Sequence, residues 1–252
     1  MMIQLEKVSK SFDGGKSFAL RDISLSVNEG EFIAVIGLSG AGKSTFLRTL
    51  NRSLPIEAGK IEVLGKKLER LRGNELAEFR RKIGFIFQQF HLIKSASVLQ
   101  NILVGRIAYV SLWRSLTGFF PKADLELAKE IALSVGLAGK EEEKIKNLSG
   151  GQQQRVAIAR ALAQEPKLIL ADEPMASLDP RLAELVLEML ARCNREQGIT
   201  AIINIHDLAL AKKYAKRVLA FRKGTLIFDG TPNQLSEEKI KQIYQLDGEE
   251  AL

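Results

Sequence analysis

The sequence predicts an α/β fold: a parallel sheet between helices, with an antiparallel β-subdomain at the N-terminus and an α-helical subdomain inserted into the core. Three observations predict it. The first thirty residues alternate apolar and polar positions, short continuous apolar runs recur further along, and a long stretch between two of those runs has helical periodicity without a strand pattern. At 252 residues, with 46% hydrophobic and 27% charged side chains, the chain can bury a sizeable core and falls outside disordered, collagenous and disulfide-scaffold compositions.

The N-terminal alternation runs through Ile3, Leu5 and Val8, then Ala19, Ile23, Leu25 and Val27, with Asp13-Gly14-Gly15 and Asn28-Glu29-Gly30 as turns. From Glu31 the pattern changes to the continuous runs 32–36, 83–87, 168–171 and 200–205, which suit strands covered on both faces. Leu127, Ile131, Leu133 and Val135 mark one helix of the inserted stretch, and Val156, Ile158, Ala159 and Leu162 mark another. The expected organisation is one domain. Its core covers about 1–89 and 164–235 and includes the β-subdomain, the helical subdomain covers about 90–163, and a C-terminal helix and acidic tail occupy 236–252.

A single cysteine, Cys193, permits no internal disulfide and no cysteine-rich zinc site, so a reducing compartment is the default. Neither a secretory signal nor a run of about 20 apolar residues is found. The net charge of +7 favours an anionic partner, which could be nucleic acid, a phosphorylated ligand or an acidic membrane surface.

The segment 37–45, GLSGAGKST, spaces Gly37 and Gly42-Lys43-Ser44 as a phosphate-binding loop does, and it joins an apolar strand to a helical run. Glycines let backbone N–H groups close around a phosphate at a helix N-terminus. Gly37, Ser39, Gly40, Gly42 and Thr45 are candidate cradle residues, Lys43 would reach the β- and γ-phosphates, and Ser44 would ligate Mg²⁺. The core thus resembles a P-loop NTPase. Asp172, at the end of the run 168–171, is the expected second metal partner, and Glu173 beside it is a candidate general base, although adjacent acids at a strand end also serve as loop caps. His206 follows the run 200–205, where it could meet a γ-phosphate or simply open a helix. His91 reads as structural. The segment Leu148-Ser149-Gly150-Gly151-Gln152 opens a further helix and forms a second glycine-rich anion site.

With these motifs in this order, the chain resembles the ATP-binding subunit of an ABC transporter over nearly its whole length. The resemblance implies ATP and Mg²⁺ as ligands. It makes Gln88 the glutamine that senses Mg²⁺ and faces the transmembrane subunit, Ser149, Gly150, Gly151 and Gln152 the signature, Ala176 to Asp179 the D-loop, and His206 the switch histidine. Phe12 falls where the family stacks an aromatic on adenine, and a hairpin core residue is the competing reading. Two departures stand out: Ala176 replaces the first D-loop serine, with a hydroxyl one place on at Ser177, and Ile205 precedes the histidine where a threonine is usual. Absence of a coiled-coil insertion and of a second phosphate loop argues against the chromosome-maintenance and ribosome-associated branches.

The insertion 105–121, with Trp113, Phe119 and Phe120, and the segment Ala171 to Asp179 resemble more narrowly the ATP-binding subunits of phosphonate importers. An aromatic cluster with arginine suits an interface hot spot or a small satellite core. The resemblance implies a homodimer with two ATP molecules between copies, two transmembrane permease subunits, an indirect link to a solute-binding protein, and a peripheral place on the cytoplasmic face of the inner membrane. No nucleic acid is expected, because the basic stretches 60–82 and 207–223 are not interleaved with aromatics; they read as charge for ATP phosphates, anionic lipid head groups and a solvated surface. Alternatives are an importer of another small solute, and a soluble ATPase acting on DNA or ribosomes.

Overall fold

The computed structural model describes residues 1–111, 113–114, 118–176 and 178–244. Ser177 of the D-loop, Leu112 and residues 115–117 of the insertion, and the tail 245–252 lie outside the described residues.

The predicted antiparallel pair forms. Strand β1 (Ile3–Ser11) pairs with β2 (Phe18–Val27), and β1 also pairs with β4 (Ala58–Val63), which in turn pairs with the short β5 (Lys66–Lys67), in the order β2-β1-β4-β5. A second sheet has the order β10-β9-β3-β8-β7-β6. Its members β3 (Phe32–Ile36), β6 (Ile83–Ile86), β7 (Leu168–Ala171) and β8 (Thr200–Asn204) are the four apolar runs, and they pair in parallel. Strand β9 (Arg217–Arg222) extends the parallel set, and β10 (Thr225–Gly230) folds back on it antiparallel.

Burial explains why those runs are apolar at every position. Phe32, Ala34 and Ile36 of β3 enter one core cluster, while Ile33 and Val35 enter the other; Val218 and Ala220 of β9 likewise oppose Leu219 and Phe221. Both faces of the sheet are therefore dry, as parallel strands require. One face packs on helix α1 (Lys43–Leu50) and the antiparallel sheet. The other packs on the helical insertion, α3 (Val98–Leu103), α4 (Lys122–Ser134) and α5 (Gly150–Leu162), and on the long helix α6 (Pro180–Gln197). Helices α2 (Gly73–Arg81), α7 (Leu208–Tyr214) and α8 (Glu237–Tyr244) complete the described set.

Strands β4, β9 and β10 and helix α2 escape the periodicity reading because their apolar centres are short and framed by charge. Part of that charge is structural. Arg217, at the start of β9, donates Nε and Nη2 to the two carboxylate oxygens of Asp229 on β10 at 2.6 and 2.7 Å and Nη1 to Glu31 at 3.0 Å, and these partners raise its pKa. The solvated-surface reading of the stretch 207–223 thus fails at Arg217, which is spent on joining strands.

Candidate functional site

Strand β3 runs through the middle of the parallel sheet, and its carboxyl end delivers the loop 37–42 to the N-terminus of α1. Glycine is obligatory at both ends of this loop. At Gly37 the backbone has φ 139° and a Cβ would stand 2.2 Å from the Phe221 carbonyl oxygen. At Gly42 φ is 103° and a Cβ would meet the Ala19 carbonyl oxygen at 2.3 Å. Lys43, only 4% exposed, turns its Nζ back to donate to the carbonyls of Gly37 at 2.8 Å and Leu38 at 2.9 Å. Burial lowers its pKa, against the pull of Glu173 and Asp172, which raise it. Ser39 and Gly40 are exposed at the loop surface, and Thr45 follows half-buried on α1.

Parallel pairing brings the ends of β7 and β8 to the same edge, because Ala171 lies beside Ile203 and Asp172 continues the ladder to Ile86 of β6. Ser44 donates its hydroxyl to Asp172 Oδ1 at 2.8 Å, and Asn204 Nδ2 donates to the same oxygen at 2.6 Å. Arg48, one turn beyond Ser44 on α1, approaches Asp172 Oδ2 at 3.5 Å. Asp172 is 2% exposed, and the Asn204 side-chain oxygen is buried without a partner. Asn204 and Arg48 are site residues that the motif reading missed. The available signals were a lone amide inside an apolar run and an arginine four residues after Ser44.

Glu173 sits one step past Asp172 at φ 50°, a left-handed conformation that is costly for a residue with a side chain. Its Oε1 stands 2.6 Å from His206 Nε2. The helix-opening reading of His206 does not hold, since Asp207 caps α7 by accepting from the amides of Ala209 and Leu210. Gln88 lies two residues beyond β6, with its side chain exposed.

The signature stands apart from this cluster. Ser149 and Gln152 form a capping box at the N-terminus of α5, with Ser149 Oγ accepting from the Gln152 amide at 3.4 Å and Gln152 Oε1 from the Ser149 amide at 3.0 Å. Gly150 is exposed, and a Cβ at Gly151 would press on Leu182 at 2.7 Å. Asp179 caps α6 by accepting from the Leu182 amide at 3.0 Å. Among the described residues, no hydrogen bond or ion pair joins 149–152 to the phosphate loop of the same chain. Phe12 is 65% exposed beyond the end of β1, with Lys10 Nζ 5.1 Å from its ring centroid, so the hairpin-core reading is overturned. Trp113 and Phe119 are 78% and 76% exposed, and only Phe120 packs on the core, so these two rings do not make a satellite core.

The sequence profile of the ABC transporter family matches residues 20–176. The phosphonates import ATP-binding protein PhnC of Lactobacillus gasseri is 47% identical over 243 residues, which cover 96% of this chain and 93% of that protein. The protein of the same name from Bacillus anthracis is also 47% identical, covering 96% of this chain and 94% of its own. Among solved structures, the dimeric ATP-binding cassette MJ0796 in a post-hydrolysis state bound to ADP and Pi is 33% identical with a TM-score of 0.80, covering 92% of this chain and 99% of that one. Also similar is cbiO1 from Clostridium perfringens, part of the ABC transporter complex cbiONQ, at 28% identity and TM-score 0.82, covering 96% of this chain and 93% of that one.

Proposed function

The chain belongs to the ABC transporter family as the ATP-hydrolysing subunit of an importer, and we propose that it energises uptake of phosphonate or a related phosphorus oxyanion through separate transmembrane subunits. The observation that carries the substrate class is near-full-length 47% identity to phosphonate-import ATP-binding proteins of several species. No helix among the described residues is long and apolar enough to cross a membrane, which fits a partner supplying the channel from a peripheral position on the cytoplasmic face.

The site roles follow from the donor set. Lys43 already spans the loop by its bonds to two carbonyls, and exchanging these for β- and γ-phosphate oxygens would bind nucleotide. Ser44 and Asp172 are hard oxygen donors in contact, with the unpartnered Asn204 oxygen beside them and Gln88 at the neighbouring strand end, and this set suits Mg²⁺. The ion would screen phosphate charge during transfer. Glu173 would take the proton of the attacking water, and His206, 2.6 Å from Glu173, would hold that carboxylate in place and meet the γ-phosphate.

The separation of 149–152 from the phosphate loop within one chain supports a head-to-tail homodimer, in which Ser149, Gly150, Gly151, Gln152 and Asp179 of one copy complete the nucleotide site of the other. Phe12, exposed and flat, would stack on adenine. The partners are then a second copy, two permease subunits and, through them, a solute-binding protein.

The test is ATP hydrolysis by the purified transporter in liposomes. Stimulation by a phosphonate-loaded binding protein is the expected result. Stimulation by DNA or ribosomes, with indifference to the permease, would overturn the reading.

A further inference from the structure

Arg160 lies in the last turn of α5, the helix that the signature opens. Its Nη1 donates to the His91 carbonyl at 2.7 Å and its Nη2 to the Phe90 carbonyl at 2.8 Å. Among the described residues no carboxylate pairs with it, and burial alone holds its pKa below the usual arginine value. A cation withdrawn from water without a counter-ion is costly, and only a rigid fork can recover part of that cost from two carbonyl dipoles at once.

The loop contributes strain to the same contact. His91 has φ 48°, left-handed for a residue with a side chain, which breaks the alternation of successive carbonyls that extended backbone would impose. Gln88 lies between two fixed points: β6 ends at Ile86, and the clasp begins at Phe90. The rings of Phe85, Phe87 and His91 touch in succession, the first two tilted at 4.4 Å and the last two edge-on at 4.8 Å between centroids. Beyond the clasp, fully buried Asn101 accepts from the Ile93 amide at 2.8 Å and donates to its carbonyl at 3.1 Å. At the other side, a Cβ on Gly105 would stand 2.3 Å from the Arg160 carbonyl oxygen, so the insertion packs on the same turn of α5.

We propose that Arg160 is a positioning residue that locks the loop carrying Gln88 to the signature helix, so that a change at Gln88 moves residues 149–152 with it. The proposal rests on the nucleotide-site reading above. Signature and loop would then report nucleotide occupancy as one body, because the clasp bridges two elements that the chain itself separates by some sixty residues.

The test uses the purified full chain. In Arg160→Lys a point ammonium replaces the fork. KM for ATP should stay within about twofold of the unmodified value while kcat falls about tenfold, and adding Gln88→Ala should cause little further loss. An unchanged kcat, or losses from the two substitutions that multiply, would overturn the proposal. Lys43→Ala keeps the underlying reading separate: if it retains full ATP affinity, the nucleotide site itself is wrong, whereas loss of affinity there leaves the result at Arg160 decisive. Hydrogen exchange on the unmodified chain gives an answer that needs no folded variant. ATP with Mg²⁺ should protect amides 88–93 and 150–162 in parallel, and independent responses would sink the clasp.

Discussion

His206 Nε2 stands 2.6 Å from Glu173 Oε1, across the ends of the neighbouring strands β8 and β7, while Glu173 holds a left-handed backbone. Side chains some thirty residues apart in sequence are thereby set side by side near the buried Asp172, and the backbone at Glu173 bears the strain of a left-handed conformation.

Glu173→Gln is expected to keep ATP binding but to lower kcat by ~10²–10⁴, since a neutral amide takes no proton from water. Steady-state hydrolysis checks the rate, and size exclusion with ATP should show the dimer accumulating. Near-normal turnover would remove the base from Glu173.

Phe12→Ala should weaken ATP binding by about 1–3 kcal/mol, the worth of one stacked base. Because the ring is 65% exposed, the melting temperature should hardly move. Calorimetric titration with ATP and a thermal melt together separate stacking from a packing role.

Arg106→Ala should destabilise the fold by about 3–5 kcal/mol, because it strands a buried carboxylate. Arg106 is 8% exposed and donates to Asp124 at 2.8 Å, Glu165 at 2.7 Å and the Ala163 carbonyl at 3.0 Å, with Tyr109 stacked on it. Urea denaturation should show the loss, and a paired Arg106→Met, Asp124→Leu variant should recover much of it.

Asp13 accepts from the Ser17 hydroxyl and amide and the Ser11 hydroxyl, which hold its pKa down to about 2. Its folded pKa lies below the unfolded 3.8, so the stabilisation is complete above pH 3.8 and is lost as pH falls through about 2. Titration of the Asp13 carboxyl followed by NMR should give a midpoint near the lower value, and Asp13→Asn should abolish the dependence in the 11–17 turn.

Much of the core was legible because strands buried on both faces leave an unambiguous record: 32–36, 168–171 and 200–204 are apolar at nearly every step. The phosphate loop was legible for a related reason, since Gly37 and Gly42 occupy positions where any Cβ would strike a carbonyl oxygen. Strand β9 was not, because the arginines framing it look like solvated charge until Asp229 and Glu31 are found beside Arg217. Asn204 was hidden for the converse reason: one amide in an apolar strand acquires meaning only through Asp172, which the chain places thirty-two residues earlier.

Local rules of the chain, namely spacing, glycine conformation and apolar periodicity, were enough to propose a nucleotide cradle and the strand-end acids, and the order of the motifs carried the resemblance to the family. Pairings between distant residues were decided in three dimensions: His206 on Glu173, Asn204 on Asp172, Arg160 on the loop of Gln88, and the exposure of Phe12, Trp113 and Phe119. The physical reason is that a side chain's worth as base, anchor or docking surface depends on its desolvation and partners, and both are set by the packing of elements far apart in sequence.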